Sequence, residues 1–233
     1  MTKRFYKKAA AIERDDGAHG VALDGRPIRT PGGATLAVPT RALAQAIAGE
    51  WRAQGDKVEP ASMPITRLAA TAIDQIGRER DVVVAQVAAY GGTDLLCYRA
   101  GEPPALVVRQ TECWQPLLDW AAEEYGARLA VTTGVAPVAQ DDAARSALDR
   151  AVKEHDDFRL AALSRVTAAC GSLILALGLT ARRIDADEAV AASQLDEDWQ
   201  AGKWGRDREA EDRRVALARE ISAAARYLNF LDG

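Results

Sequence analysis

Histidine and cysteine are scarce in this chain, and that scarcity removes most of the chemistry that side chains can perform unaided. Only two histidines occur in 233 residues. His19 falls in a stretch that reads as a polar turn, and His155 stands among Glu154, Asp156 and Asp157, so neither has the spacing of a metal ligand. The three cysteines, Cys97, Cys113 and Cys170, are odd in number, far apart and set among apolar residues. They read as reduced thiols of the core and point to a reducing compartment. No CxxC, HExxH, GxSxG, P-loop or GxGxxG pattern is present, and the pair Gly91 and Gly92 before Thr93 and Asp94 reads as a helix stop. No catalytic, cofactor-binding or metal-binding residue is expected.

Positive charge is also short. A formal net charge of -4 argues against nucleic-acid partners and anionic membranes, because both require a positive field to gather phosphates. Long apolar runs are missing too. The longest uncharged stretch, residues 166–181, falls short of the roughly 20 residues of a membrane span and contains Thr167, Gly171 and Ser172. It reads as part of one buried helix over residues 158–177, with no membrane insertion. The first dozen residues carry too short an apolar segment for a signal peptide.

What remains is an ordinary globular content, 48% hydrophobic residues, arranged in two styles. Residues 1–78 mix strands with helices. Asp24 and Gly25 form the dipeptide of a tight hairpin turn after Val21, Ala22 and Leu23, and residues 35–39 have a strand-like alternation. Thr40 can cap a helix with Leu43, Ala44, Ile47 and Trp51 on one face, ending near Gly55 as a left-handed cap. Ser62 can cap the next, with Pro64 in its first turn and Ile65, Leu68, Ala72, Ile73 and Ile76 as its stripe.

Residues 79–233 have helical period almost throughout. Helices are predicted over 79–90 and from Pro104 to Tyr125 with a kink at Pro116, over 141–153, and from the capping box of Asp185 and Glu188 to about Gln200. A final one runs over 207–231. The fold class is therefore α+β: a small N-terminal antiparallel β-containing domain, 1–78, followed by a mostly α-helical domain, 79–233.

Two features stand out from this background. Lys3, Arg4, Lys7 and Lys8 surround Phe5 and Tyr6, a mixture that can hold single-stranded nucleic acid but fits an edge strand guarded by lysines better. Asp196, Glu197 and Asp198 lead into Trp199, Lys203, Trp204 and Asp207. Tryptophan is costly to leave wet and is enriched at binding hot spots. The two indoles read as flanking a polar bend that joins the last two helices, while the acids face solvent.

Several segments together resemble the ATP synthase F1 assembly chaperone family that serves the alpha subunit, the mitochondrial F1 complex assembly factor 2 type and its bacterial relatives. They are RFYK at 4–7, LDGRP at 23–27 with Thr30 and Pro31, AGEW at 48–51 with Gln54, and MPITRL at 63–68 with Thr71 and Asp74. YGGTDLLCYR at 90–99, WQPLLDW at 114–120, and SQLDEDWQ at 193–200 with Lys203, Trp204 and Gly205 complete the set. The resemblance implies an ATP-independent chaperone, not an enzyme, that binds the newly made F1 alpha subunit until a beta subunit replaces it. It implies functionally sensitive acids at Asp196, Glu197 and Asp198, Glu197 foremost, with Lys203, Trp204 and Asp207 as further partner-binding residues. Trp51 and Trp199 are expected to be structural. A monomer in the bacterial cytoplasm is expected, since no Arg/Ser-rich presequence is visible.

Two other readings compete. One is a small-molecule enzyme using Asp94, Arg67 and Arg99 in an inter-domain cleft; the other is a general holdase without a fixed client.

Overall fold

The fold was taken from a computed structural model, which describes residues 2–205 and 207–233. The chain divides into two compact units. One is the chain up to Arg80 together with Asp157–Ala162 and Ala223–Gly233; the other is Asp81–Asp156 with Leu163–Ser222.

The first unit is built on an antiparallel sheet of β2 (Ala9–Glu13), β3 (His19–Leu23) and β4 (Arg26–Pro27), in that order. A two-stranded ribbon pairs β1 (Thr2–Lys3) with β5 (Lys57–Val58). The β3–β4 turn is the expected one: Asp24 and Gly25 both have positive φ, 48° and 84°, as the twist of a two-residue hairpin demands. The Asp24 carboxylate adds a second tie by accepting the Lys7 and Lys8 amides, which lowers its pKa. His19 lies in β3, not in a turn, and residues 35–39 make only isolated bridges, His19 to Val38 and Arg29 to Thr35.

Across β2 and β3 lies α1 (Arg41–Arg52), capped by the Thr40 hydroxyl and burying Leu43, Ala44, Ile47 and Ala48. It ends at Ala53 in right-handed conformation, so Gly55 is not its cap. Helix α2 (Pro64–Thr71) is entered through Met63 and not Ser62. Its first-turn amides are satisfied from α1, because the Glu50 carboxylate accepts Ile65 N at 2.8 Å, Thr66 N at 2.7 Å and the Thr66 hydroxyl at 2.6 Å. A carboxylate there also complements the helix dipole. A π-helical stretch, Ala72–Ile76, follows, and its Asp74 accepts the Thr30 hydroxyl at 2.6 Å and Gly32 N at 2.7 Å. A Cβ on Gly32 would lie 2.5 Å from that carboxylate, so any other residue there would displace Asp74 from these bonds.

The rest is helical: α3 (Gly77–Ala89), α4 (Pro104–Tyr125), α5 (Asp142–Lys153), α6 (Asp157–Cys170), α7 (Leu173–Thr180), α8 (Ala186–Ser193), α9 (Leu195–Trp204) and α10 (Arg208–Leu231). The two-residue strands β6 (Tyr98–Arg99) and β7 (Thr132–Thr133) pair in parallel. In the second unit α4 is the hub, packing on α5, α7 and α9. It runs on past Pro116, whose ring faces solvent. The single buried helix expected over 158–177 is two helices. Gly171 at φ 65° turns the chain, and Ser172 caps α7, whose residues from Leu173 to Leu179 are all buried. Likewise the helix opened by the capping box of Asp185 and Glu188 stops at Ser193, and Gln194 leaves helical geometry before α9 begins. Both breaks fall where a continuous apolar or charged pattern concealed them.

Candidate protein-docking face on helix α9

Helix α9 carries three acids in its first turn and no side-chain cap, so Asp196, Glu197 and Asp198 together supply the negative charge its N-terminus favours. Neighbours on a helix point about 100° apart, and the structure gives each acid a different environment.

Asp196 turns inward. Its carboxylate accepts the Gln110 amide at 2.7 Å, while Gln110 Oε1 accepts Ala100 N at 2.8 Å. Gln110 is buried in the core stripe of α4, and both ends of its amide are engaged by these two bonds. One turn later on α4, the buried Trp114 indole donates to Ala192 O at 2.9 Å. The Arg99 guanidinium covers its ring at 5.4 Å. Two bonds four residues apart on α4 thus grip positions four apart on the α8–α9 segment, in opposite chain direction.

Asp198 turns toward α10. Its Oδ1 lies 3.2 Å from Arg214 Nε and Oδ2 3.4 Å from Nη2, an ion pair held by proximity more than by directed hydrogen bonds. Glu197 alone is exposed, and its carboxylate has no bonded partner among the described residues.

The aromatic residues divide in the same way. Trp199 is half-buried, with Lys203 Nζ over its ring at 5.0 Å. Trp204 is 79% exposed at the end of α9, so its indole pins no helix. No bend separates the two tryptophans, since both belong to α9; the turn comes after them, at Gly205 with φ 89°. Asp207 lies beyond the turn, exposed, with its Oδ1 accepting Ala210 N at 2.8 Å as the cap of α10.

The outward face of α9 therefore reads Glu197, Gln200, Ala201 and Trp204, the three- and four-residue steps of one helical stripe. A free carboxylate and a bare indole stand about two turns, or about 10 Å, apart on it. Sequence reasoning could not assign this split, although Gln110, a polar residue inside the apolar stripe of α4, was a readable sign that a buried partner awaited it.

The groups of the enzyme reading are occupied otherwise. Asp94 is buried, with Oδ1 accepting Leu96 N at 3.1 Å and Ser172 Oγ at 2.7 Å and Oδ2 accepting Ile174 N at 3.0 Å. Burial pushes its pKa up to about 6 against the pull of those donors. Arg99 is buried, donating to Leu96 O at 2.8 Å, and Arg67 is exposed on α2. Cys97 and Cys170 are buried thiols pushed up to about 12 by burial, far from the thiolate range.

Residues 3–122 match the family described as ATP12 chaperone protein. The chain belongs to that family. Its fold superposes on the crystal structure of Atp12 from Paracoccus denitrificans with a TM-score of 0.93 and 43% identity, over 99% of this chain and 98% of that one. A second similar structure is the Atu1473 protein of Agrobacterium tumefaciens, with 42% identity over 98% of this chain and 86% of that chain. The mitochondrial Atp12 protein of Schizosaccharomyces pombe is 27% identical over 215 residues, covering 87% of this chain and 74% of that protein.

The structure joins several of the segments that carry the resemblance to one another or to their neighbours. Tyr6 of the RFYK stretch donates its hydroxyl to Trp51 O at 2.6 Å, and Glu50 of AGEW caps the helix of MPITRL. Asp94 of the GGTD stretch ties down the start of α7. Within these segments Tyr6, Glu50 and Asp94 hold the scaffold, whereas Glu197 and Trp204 face out.

Proposed function

We propose that this protein is an ATP-independent assembly chaperone that binds the unassembled F1 ATP synthase alpha subunit, keeps it from aggregating and yields it to the beta subunit. Membership in a chaperone family supports the class of activity. The observation that carries the docking site is the outward stripe of α9, in which Glu197 and Trp204 face solvent while their neighbours are held by Gln110, Arg214 and Lys203. An exposed indole with a charged neighbour is the composition of a hot spot with a specificity-setting rim.

The logic of the task fits such a face. A subunit awaiting its partner exposes apolar surface that self-associates, and its cover must bind firmly enough to protect and loosely enough to be displaced. A single indole and one free carboxylate on a pre-shaped helix meet both demands. The action is non-enzymatic in this reading, since Asp94 and Arg99 serve the interior.

The test is light scattering of isolated alpha subunit at elevated temperature, with and without the protein. Suppression by wild type, lost in Glu197→Lys and in Trp204→Ala, supports the reading; no suppression at a several-fold excess overturns it. Equal protection of unrelated unfolded proteins would favour the general holdase.

A further inference from the structure

The second unusual surface lies in the first unit, far along the sequence from α9. Residues 3–7 alternate: Arg4 and Tyr6 turn inward, Lys3, Phe5 and Lys7 outward. The inward pair is tightly held. Arg4 lies over the Tyr6 ring at 4.8 Å and donates to Gln54 O, and Tyr6 packs edge-on against Trp51 at 5.6 Å. Phe5 leans on Tyr6 edge-on at 5.4 Å yet remains 70% exposed. The aromatic platform is thus held from below and bare on top.

The charges around it are unbalanced. Lys3 stands directly opposite Lys57 in the β1–β5 ribbon, so the two side chains leave the same face. Like charges in that arrangement destabilise a strand pair. Lys3, Lys7, Lys8 and Lys57 are all exposed, and none forms an ion pair among the described residues. The one carboxylate tied to this segment, Asp24, is spent on the Lys7 and Lys8 backbone amides. Lysines that only guard an edge would account for solubility. They do not account for a bare phenylalanine set among them, nor for two lysines paired face to face in a chain whose net charge is -4.

We propose that the outward row of Lys3, Phe5 and Lys7, together with Lys57, is a docking surface for an acidic protein segment carrying an apolar side chain. Charge complementarity selects the occupant: carboxylates neutralise the Lys3–Lys57 repulsion, and the apolar side chain covers Phe5. The acidic balance of the whole chain disfavours a nucleic acid in the same place. The observations behind this surface are separate from those on the α9 stripe.

The experiment uses the full chain and a fluorescent peptide of glutamate and glycine residues with one central leucine, read by anisotropy. Wild type binds it and binding weakens by about tenfold or more when the salt is raised from low to half-molar, because the contacts are solvent-exposed ion pairs. Lys3→Glu supplies the decisive variant. It places opposite charges across the β1–β5 ribbon, so it melts no lower than wild type while peptide binding is lost. Phe5→Ser weakens binding without changing its salt dependence. Glu197→Lys binds the peptide as wild type does, which separates this surface from the α9 reading. Unchanged binding by Lys3→Glu overturns the proposal, as does tighter binding of a single-stranded oligothymidine than of the peptide.

Discussion

Gln110 on α4 and Asp196 on α9 meet at 2.7 Å, and the polarity of that bond decides which way α9 faces. The Gln110 amide has only one orientation that serves both neighbours, its oxygen toward Ala100 N and its nitrogen toward the carboxylate. With Asp196 fixed inward, helical geometry turns Glu197 out.

Gln110→Leu should therefore cost about 1–3 kcal/mol, because it leaves a half-buried carboxylate and the Ala100 amide unpaired. A matched exchange tests the cause. In the Gln110→Glu, Asp196→Asn double variant the new carboxylate accepts both Ala100 N and the new amide, so urea denaturation should show most of the loss restored. A double variant no better than the sum of its singles would mean the bond carries no coupling.

Glu197 and Trp204 should behave as surface residues in stability and as contact residues in function. Trp204→Ala and Glu197→Gln are expected to stay within about 0.5 kcal/mol of wild type in chemical denaturation. Glu197→Lys should lose slightly more, since it reverses a charge at a helix N-terminus. Protection of the alpha subunit should drop in all three, most for the charge reversal.

Asp94 gives a pH dependence with a definite sign. Its folded pKa of about 6 lies above the ordinary 3.8, so the folded chain binds this proton more tightly than the unfolded chain does. The stabilising contribution of the protonated form is complete below pH 3.8 and is lost as pH rises through about 6, on the order of 3 kcal/mol in all. Asp94→Asn has no such titration and faces the Ile174 amide with a donor. Denaturation midpoints of wild type should gain on those of the variant as pH falls from 7 toward 4; parallel profiles would show that Asp94 does not titrate there.

Glu50→Ala should cost about 1–2 kcal/mol, because two first-turn amides of α2 lose their acceptor. Hydrogen exchange should quicken first at Ile65 and Thr66. Trp51→Arg should cost more, through loss of the Tyr6 edge contact and the placing of a charge where the sheltered indole nitrogen now lies.

By itself the sequence determined what local rules govern. The Asp24–Gly25 turn, the Thr40 cap, the Asp185–Glu188 capping box and the amphipathic stripes of α1, α4 and α5 all depend on residues within a few positions of one another. Its ordered motifs also carried the family resemblance. Only the tertiary structure decided the rest. Gly171 and Gln194 break helices inside patterns that continue on both sides; a left-handed Gly171 and the Ser172 cap end one helix and start the next within an apolar run whose periodicity carries no sign of the break. Three adjacent acids look alike in sequence. Gln110, 86 residues away, and Arg214, 16 away, single out Asp196 and Asp198 and leave Glu197 to solvent. Which side of α9 faces out is set by those distant partners, and no local pattern could contain it.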